Sequence, residues 1–384
     1  MSRLLPVFNR PVLICLTGLA RGGLEAHVLT LAQALRNRGD CPFHIVCHFD
    51  AWFMQAALRD GLPVTLLPLR NRLDSRVLRE FEDFVRRTGF SLIHAHDKRI
   101  LLAARRAARR LRLPLLSTYH GWVSSNRWVH FTNWLDLRLR LSWQRFIAVS
   151  PQIAEELRRT GVPADRIAVI PNSVDPAAFA SLRPREQVRA AEGFRESDFV
   201  VGTASRLSLE KRPDLLVRAF ARFHVECPEA RLLVIGDGPL RAASEDLARG
   251  SGLAEAVRFT GFRNDVPSLL NALDVFVLSS QTEGTSQALV EAMWLGRPIV
   301  ATRVGGVPSQ VEHDREALLA PSGDAAALAW HLLSFRRDPD LRRRLGEAAQ
   351  RRAQAEFSAE LMAERTVRVY QEALADGVSP RHPI

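Results

Sequence analysis

Glu283 and Glu291 stand with seven residues between them in the stretch Ser280–Met293, which reads SQTEGTSQALVEAM. A carboxylate can accept hydrogen bonds, ligate a metal or carry a proton, and the surroundings select among these. Before the pair, Val275–Leu278 is a short apolar run of the kind that makes a buried parallel strand. After it, Ala288, Leu289, Ala292, Met293 and Leu295 recur at helical spacing, with Thr285 or Ser286 available as N-cap. Glu283 is therefore expected in the loop beyond the strand's C-terminal end, where ligands bind in open α/β sheets, and Glu291 about a turn and a half into the helix. Gly284 lets the backbone approach a ligand, and the amides of Gly284, Thr285 and Ser286 are expected to form a donor-rich helix N-terminus. Two acceptors beside a fan of N–H donors suit a polyhydroxylated ligand better than a metal or a bare phosphate. The alternative is solvated charge, since glutamate is common on exposed helix faces.

The paired glutamates, followed by Ala292-Met293, resemble the signature of retaining, GT-B-fold nucleotide-sugar glycosyltransferases of family four, the glycosyl transferases group 1. The resemblance implies that Glu283 contacts hydroxyls of the transferred sugar and Glu291 the ribose of the nucleotide. A second match is Gly202–Lys211, reading GTASRLSLEK, in which a strand runs into a loop bearing Arg206 and Lys211. Cations near a helix start oppose the macrodipole, so an anionic ligand accounts for them better than surface charge does. In the family this Arg and Lys hold the diphosphate as the glycosidic bond breaks. Those side chains replace a metal, and no cofactor beyond the donor substrate is implied. Gly236-Asp237-Gly238-Pro239 and Gly261–Asp265 follow two further strands. Each is weak alone, as ordinary turn chemistry. In this order they match the family, which puts Gly238 in the donor site and Phe262, Arg263 and Asn264 beside the nucleobase. One departure is Thr285-Ser286-Gln287, where the family often has larger apolar residues, and this leaves the donor sugar open.

In the first half, Gly18, Gly22 and Gly23 fall between a strand and a helix starting near Leu24, where the backbone can approach a phosphate closely. The pattern is not GxGxxG, which argues against a dinucleotide oxidoreductase. A lone strand-end histidine such as His120 in Thr118-Tyr-His-Gly121 is usually structural, but the resemblance gives it a role near donor and acceptor. His94 and His96 have metal-like spacing along a strand. With no third ligand in view they read as structural, and no metal site is expected.

These residues need a scaffold of strands and helices. Val12–Thr17, His44–His48, Val64–Leu67, Leu92–Ala95, Leu115–Tyr119, Phe146–Val149 and Ala168–Ile170 alternate with helical patterns such as Glu25–Arg38 and Ile100–Leu111. The scheme repeats with Val200–Thr203, Leu232–Ile235, Val257–Thr260, Val275–Leu278 and Ile299–Ala301. This is βαβ alternation twice over, hence an α/β chain with two doubly wound parallel sheets. The resemblance makes it GT-B, two Rossmann-like domains facing a central cleft. Residues 1–178 would bind acceptor and 179–358 the nucleotide sugar, with the polar stretch Ser181–Asp198 as linker. A last helix near Ala359–Leu374, within 359–384, would return to the first domain.

At 384 residues two domains are expected, and 47% hydrophobic content supplies their cores. No apolar run approaches the ~20 residues that span a bilayer. Cys15, Cys41, Cys47 and Cys227 are scattered without metal-ligand spacing, as in a reducing cytoplasm. Residues 1–178 carry 26 basic against 14 acidic side chains, a net +12 that accounts for the whole excess of +11. Such a half points to an anionic surface, phospholipid or nucleic acid. Trp122, Trp128, Trp134 and Trp143 lie among Arg127, Arg138, Arg140 and Arg145, and the helix Lys98–Arg112 bears Arg105, Arg106, Arg109, Arg110 and Arg112. Together these read as an interfacial surface. The alternative is core tryptophan and solvated arginine.

The reading is a hexosyltransferase acting on a lipid-linked or cell-surface polysaccharide or lipopolysaccharide acceptor, peripheral on the inner face of the cytoplasmic membrane. A sugar-nucleotide epimerase of the same double fold would be less expected to carry the Trp/Arg region. A nucleic-acid-binding protein would explain the charge but not the glutamates, so nucleic acid is not expected as a partner. A non-catalytic GT-B subunit would normally have lost some site residues.

Overall fold

The computed structural model describes residues 8–18, 22–49, 52–68, 75–120 and 144–377. The chain divides into two compact units, one ending at Pro171 and resuming at Ala359, the other spanning Asn172–Ser358. In the first unit the strands are β1 (Val12–Leu16), β2 (Phe43–Cys47), β3 (Val64–Leu66), β4 (Leu92–Ala95), β5 (Leu115–Tyr119), β6 (Arg145–Ala148) and β7 (Ile167–Val169). They form one parallel sheet in the order β3-β2-β1-β4-β5-β6-β7. In the second, β8 (Phe199–Ala204), β9 (Ala230–Ile235), β10 (Val257–Gly261), β11 (Val275–Leu278), β12 (Ile299–Thr302) and β13 (Leu318–Ala320) form a parallel sheet ordered β10-β9-β8-β11-β12-β13.

Both sheets are buried on both faces, and the alternation of their side chains shows how. Val12, Ile14 and Leu16 face one apolar cluster while Leu13 and Cys15 face another. In β11, Phe276 and Leu278 face one cluster, Val275 and Val277 the opposite one. Continuous apolar strands are what a sheet covered by helices on two sides requires. In each unit strand order reverses between the first strand and its fourth-ranked neighbour, β1 beside β4 and β8 beside β11. Ligands of such sheets bind outside the strand C-terminal ends at that reversal.

The last helix, Ala359–Asp376, belongs to the first unit. Met362, Ala363, Val367 and Tyr370 complete the cluster that holds Val28, Leu31 and Leu35 of the helix Gly23–Arg38. Tyr370 is fully buried and its hydroxyl is hydrogen-bonded to His94 Nδ1 at 2.8 Å, while His94 Nε2 meets Thr118 Oγ1 at 2.7 Å. Both ring nitrogens of His94 are thus used structurally.

Three expectations change. The boundary falls after Pro171 rather than residue 178, because Val174 N donates to Phe357 O at 2.9 Å and Asn172 Nδ2 to Thr285 O at 3.4 Å within the second unit. Ser181–Asp198 is no linker, since it contains the helix Arg185–Ala191. Its polar composition misleads because the charges are spent internally: Arg189, 3% exposed, donates to Ala272 O and Asp198 O at 3.0 Å and pairs with Asp274 at 2.7 Å. The basic face of the helix Lys98–Leu111 is also narrower than expected. Arg105 is buried, and Arg106 and Arg110 reach Glu82 at 3.3 and 3.6 Å, leaving Arg109, Arg110 and Arg112 exposed. The Trp122–Trp143 region lies outside the described residues.

Candidate active site

Three loops at the C-terminal ends of β8, β11 and β12 interlock around Glu283. The first loop carries Arg206 and Lys211. It ends at Arg212, a non-glycine residue held in the left-handed region at φ +50° before the helix Pro213–Glu226. Such a conformation is unfavourable for a side chain with a Cβ and persists only when neighbours over-determine it. Here the neighbours are identifiable. Ser279 Oγ donates to Lys211 O at 3.0 Å and Arg212 O at 3.1 Å. The Arg212 guanidinium pairs with Asp214 through bonds of 2.8 and 2.9 Å, and Gln281 N donates to Glu210 O at 2.8 Å.

The consequence is a bidentate contact. Lys211 Nζ lies 2.6 and 2.8 Å from the two Glu283 carboxylate oxygens, and Ser280 Oγ donates to Oε1 at 2.6 Å. The Glu283 side chain is 4% exposed against 23% for Lys211. The cation is thus the accessible member. Breaking a buried pair of this kind strands a charge and typically costs ~3–5 kcal/mol. Arg206, by contrast, is exposed and makes no ion pair among the described residues.

The third loop fixes the Glu283 backbone. Gly306 N donates to Glu283 O at 3.0 Å, and a Cβ added to Gly305, at φ +52°, would lie 1.9 Å from that oxygen. No other residue type fits there. Thr302 Oγ1 adds a 2.6 Å bond to Ser280 O. The sequence reading overlooked this Gly305-Gly306 pair. Its signal is present, two glycines just past the apolar strand Ile299–Ala301.

The helix after Glu283 is Gln287–Trp294, capped by Ser286, whose Oγ accepts from Leu289 N at 3.3 Å. The buried Gln310 side chain takes Ser286 N at 2.9 Å and returns a bond to Ser286 O at 3.0 Å. The expected fan of three amides is therefore reduced, because the Ser286 amide is occupied. The amides of Gly284 and Thr285 donate to no group among the described residues. Thr285 Oγ1 is buried without a partner among them.

Glu291 lies one turn beyond Gln287. Part of the residue keeps surface access, but its carboxyl is enclosed enough that burial pushes the pKa up to about 7, outweighing a hydrogen bond from Gln287. Gln287 Nε2 also donates to Ser173 O at 3.0 Å.

The remaining candidates in the second unit divide. Gly238 follows β9 and has a steric reason to be glycine: a Cβ there would lie 2.4 Å from Leu207 O. Leu207 N donates to Asp237 O at 2.9 Å, so this turn braces the backbone beside Arg206. Phe262 is 44% exposed past the end of β10. Arg263 is committed elsewhere, with Glu192 at 2.7 Å and Asp265 at 2.8 Å, and these carboxylates raise its pKa. Its guanidinium is a clamp within the unit rather than an open donor.

In the first unit Gly18 takes φ +69° beside Cys47 and Phe53, and Gly22 and Gly23 are exposed at the start of the helix Gly23–Arg38. His120 directly follows β5, and burial holds its pKa well below the ordinary histidine value. Histidines distant in sequence nevertheless gather here, without His94. His27, His96 and His120 place ring nitrogens within 4.8 Å of one another.

Two parallel-sheet units with cationic and carboxylate side chains on adjoining strand ends define a GT-B nucleotide-sugar glycosyltransferase. The Glycosyl transferases group 1 family matches residues 184–352 and Glycosyltransferase Family 4 matches residues 21–178, and the chain belongs to this family. It is 30% identical over 343 residues to the 2-deoxystreptamine N-acetyl-D-glucosaminyltransferase of Streptomyces fradiae, covering 80% of this chain and 81% of that one. It is 28% identical over 363 residues to the lipopolysaccharide core biosynthesis glycosyltransferase LpsD of Rhizobium meliloti, covering 92% and 96%. Among solved structures, Anabaena Alr3699/HepE in complex with UDP-glucose superposes with a TM-score of 0.83 at 24% identity, covering 94% of this chain and 99% of that one.

The ion pair makes Lys211 and Glu283 interdependent in stability. In a urea-denaturation double-mutant cycle, Lys211→Ala is expected to destabilise by ~3–5 kcal/mol, and adding Glu283→Ala to recover at least ~1 kcal/mol of that. Simple additivity would show that the pair is not coupled.

Glu291 binds its proton more tightly in the native state than an ordinary glutamate does, with a pKa of about 7 against 4.5. Between those values the folded protein holds the extra proton, so this group's contribution to stability falls as pH rises through the window and levels above it. Glu291→Gln is expected to gain stability relative to wild type across that range. Parallel urea titrations at several pH values measure this, and a difference that does not change with pH would refute it.

Proposed function

We propose that this protein is a retaining, metal-independent hexosyltransferase that moves a sugar from a nucleotide diphosphate to a lipid-linked or cell-surface polysaccharide acceptor. The observation that carries the reading is Lys211 held by Glu283 beside the exposed Arg206, with the unengaged Gly284 and Thr285 amides adjoining. A diphosphate has the charge to draw on Lys211 and Arg206, and sugar hydroxyls can donate to the Glu283 carboxylate that Lys211 then shares. Glu291 would accept from the ribose, a contact that favours its charged form and draws its pKa down. Phe262 offers an apolar face for the base, while Gly22, Gly23 and His120 are the first unit's candidates. Transfer would break the bond from the anomeric carbon to the diphosphate oxygen. The acceptor hydroxyl would attack from the same face, its proton passing to the departing phosphate. Binding of UDP-glucose by the Anabaena protein and the lipopolysaccharide role of the Rhizobium relative support this donor and acceptor class.

Release of nucleoside diphosphate from a panel of nucleotide sugars is the test. Arg206→Ala and Lys211→Ala are each expected to lower turnover about a hundredfold, ~3 kcal/mol of transition-state stabilisation, and EDTA is expected to leave wild-type turnover unchanged. Near-normal rates in both variants, or rescue of EDTA-treated enzyme only by added Mg²⁺ or Mn²⁺, would overturn the proposal. An epimerase would instead interconvert nucleotide sugars without releasing the diphosphate.

No helix among the described residues is long and apolar enough to cross a membrane. Attachment at the inner face of the cytoplasmic membrane would rest on the net +12 of residues 1–178 and on the exposed Arg109, Arg110 and Arg112. Each such arginine is worth about 1 kcal/mol near anionic lipid, and less as salt shortens the Debye length. Co-sedimentation with anionic vesicles is expected to drop when these three become glutamate. Equal recovery with neutral vesicles would exclude this mode of attachment.

A further inference from the structure

The parallel order of the first sheet sets β4 between β1 and β5. His96 directly follows β4 and His120 directly follows β5, so paired strands deliver both rings to one end of the sheet. His27 comes from the helix that follows β1, the other neighbour of β4. Ring centroids are 4.8 Å apart for His27 and His120, 5.5 Å for His27 and His96, and 5.9 Å for His96 and His120. Three residues far apart in sequence thus meet where the fold places ligand sites.

Polar atoms of His96 and His120 are not accounted for among the described residues. His96 is 1% exposed, and neither of its ring nitrogens has a hydrogen-bond partner among the described residues; nor does His120 Nε2. Buried polar atoms left in this way call for a bound species. His94, two residues earlier and within β4, has both ring nitrogens satisfied. The carboxylate nearest in sequence, Asp97, is spent: Oδ2 accepts from Thr17 Oγ1 at 2.9 Å, and Oδ1 accepts from the amides of Arg99 and Ile100 at 2.8 and 3.2 Å. A donor set of three imidazoles without carboxylate disfavours calcium and magnesium and suits zinc, cobalt, nickel or copper. With bonds of about 2.0–2.1 Å, ligand nitrogens in a tetrahedral site lie about 3.3 Å apart. Nitrogens already within 4.8 Å need close by only about 1.5 Å to reach that spacing. A cavity of about 140 Å³ lined by Leu24, His96, Asp97, Lys98, Thr118 and His120 leaves room for a fourth ligand.

We propose that His27, His96 and His120 form a three-imidazole site for a divalent transition ion, with a fourth position open to water or an anion. Because the proposed function assigns His120 to sugar transfer, an ion held there excludes catalysis, and this clause rests on that reading.

The protein is stripped with a chelator, dialysed, and titrated with Co²⁺ by visible absorption and with Zn²⁺ by calorimetry, no nucleotide being present. One equivalent is expected to bind with the visible bands of low-coordinate Co²⁺. His27→Gln and His96→Gln are each expected to weaken binding about tenfold or more, while His224→Gln in the other unit binds as wild type does. Thermal melts check folding; His27 is on a helix rather than at a strand end, so His27→Gln carries the test should His96→Gln fail to fold. No binding by wild type, or unchanged affinity in the His27 and His96 variants, would overturn the site. In turnover assays Zn²⁺ is expected to inhibit wild type more strongly than His27→Gln, and equal inhibition would overturn the exclusion clause. If no nucleotide sugar turns over under any condition, the proposed function fails while the Co²⁺ titration still decides the metal site.

Discussion

The contact between Lys211 and Glu283 joins the two strand ends on either side of the reversal in the second sheet. Neither side chain is well placed alone. The carboxylate is almost entirely withdrawn from water, and the ammonium group sits on a loop that includes a left-handed arginine. Together they compensate each other's charge and fix the spacing of the loops after β8 and β11. Much of the surrounding detail serves this contact. Ser279 holds the Lys211 backbone, Ser280 the carboxylate, and Gly305-Gly306 the Glu283 carbonyl. A site arranged in this way is pre-organised before ligand arrives, and a ligand has to exchange contacts with an existing pair.

The second sheet and its site loops were largely legible in the sequence, because apolar runs of four to six residues followed by glycine, serine and charge are a strong pattern in parallel α/β units. Val275–Leu278 and Leu92–Ala95 are strands with the expected ends. What remained hidden was of two kinds. Short elements carry too few residues for a period to register, as with the strand Leu318–Ala320. Side chains whose composition looks solvated are read as surface. Arg105, Arg189 and Arg263 are arginines that the fold turns inward or ties to carboxylates, and nothing in the local pattern distinguishes them from Arg109 or Arg112. Partners distant in sequence are invisible for the same reason. The amide of Ser286 is claimed by Gln310, and His96 meets His27 only because β1, β4 and β5 are neighbours.

Glycine in this chain has more than one use. At Gly305 and Gly238 the absent Cβ makes room for another segment of backbone, at Glu283 and Leu207 respectively. Gly238 looks like a ligand-cradling glycine from sequence, yet the immediate neighbours at both positions are protein. Gly284 is different, since its amide keeps its hydrogen-bonding capacity. The same residue type therefore shapes the frame at some points and leaves a donor open at another.

The first unit is discontinuous in the chain, and this bears on how the molecule is made. Its core lacks Met362, Val367 and Tyr370 until the final helix exists, and His94 has no Tyr370 hydroxyl to meet until then. The second unit is continuous, and its two ends are joined where Val174 N bonds Phe357 O. During synthesis the usual order, in which the N-terminal domain folds first, cannot be completed. The later-translated unit can close on itself while the earlier one, its seven strands already made, waits for the helix Ala359–Asp376 to cover its apolar face.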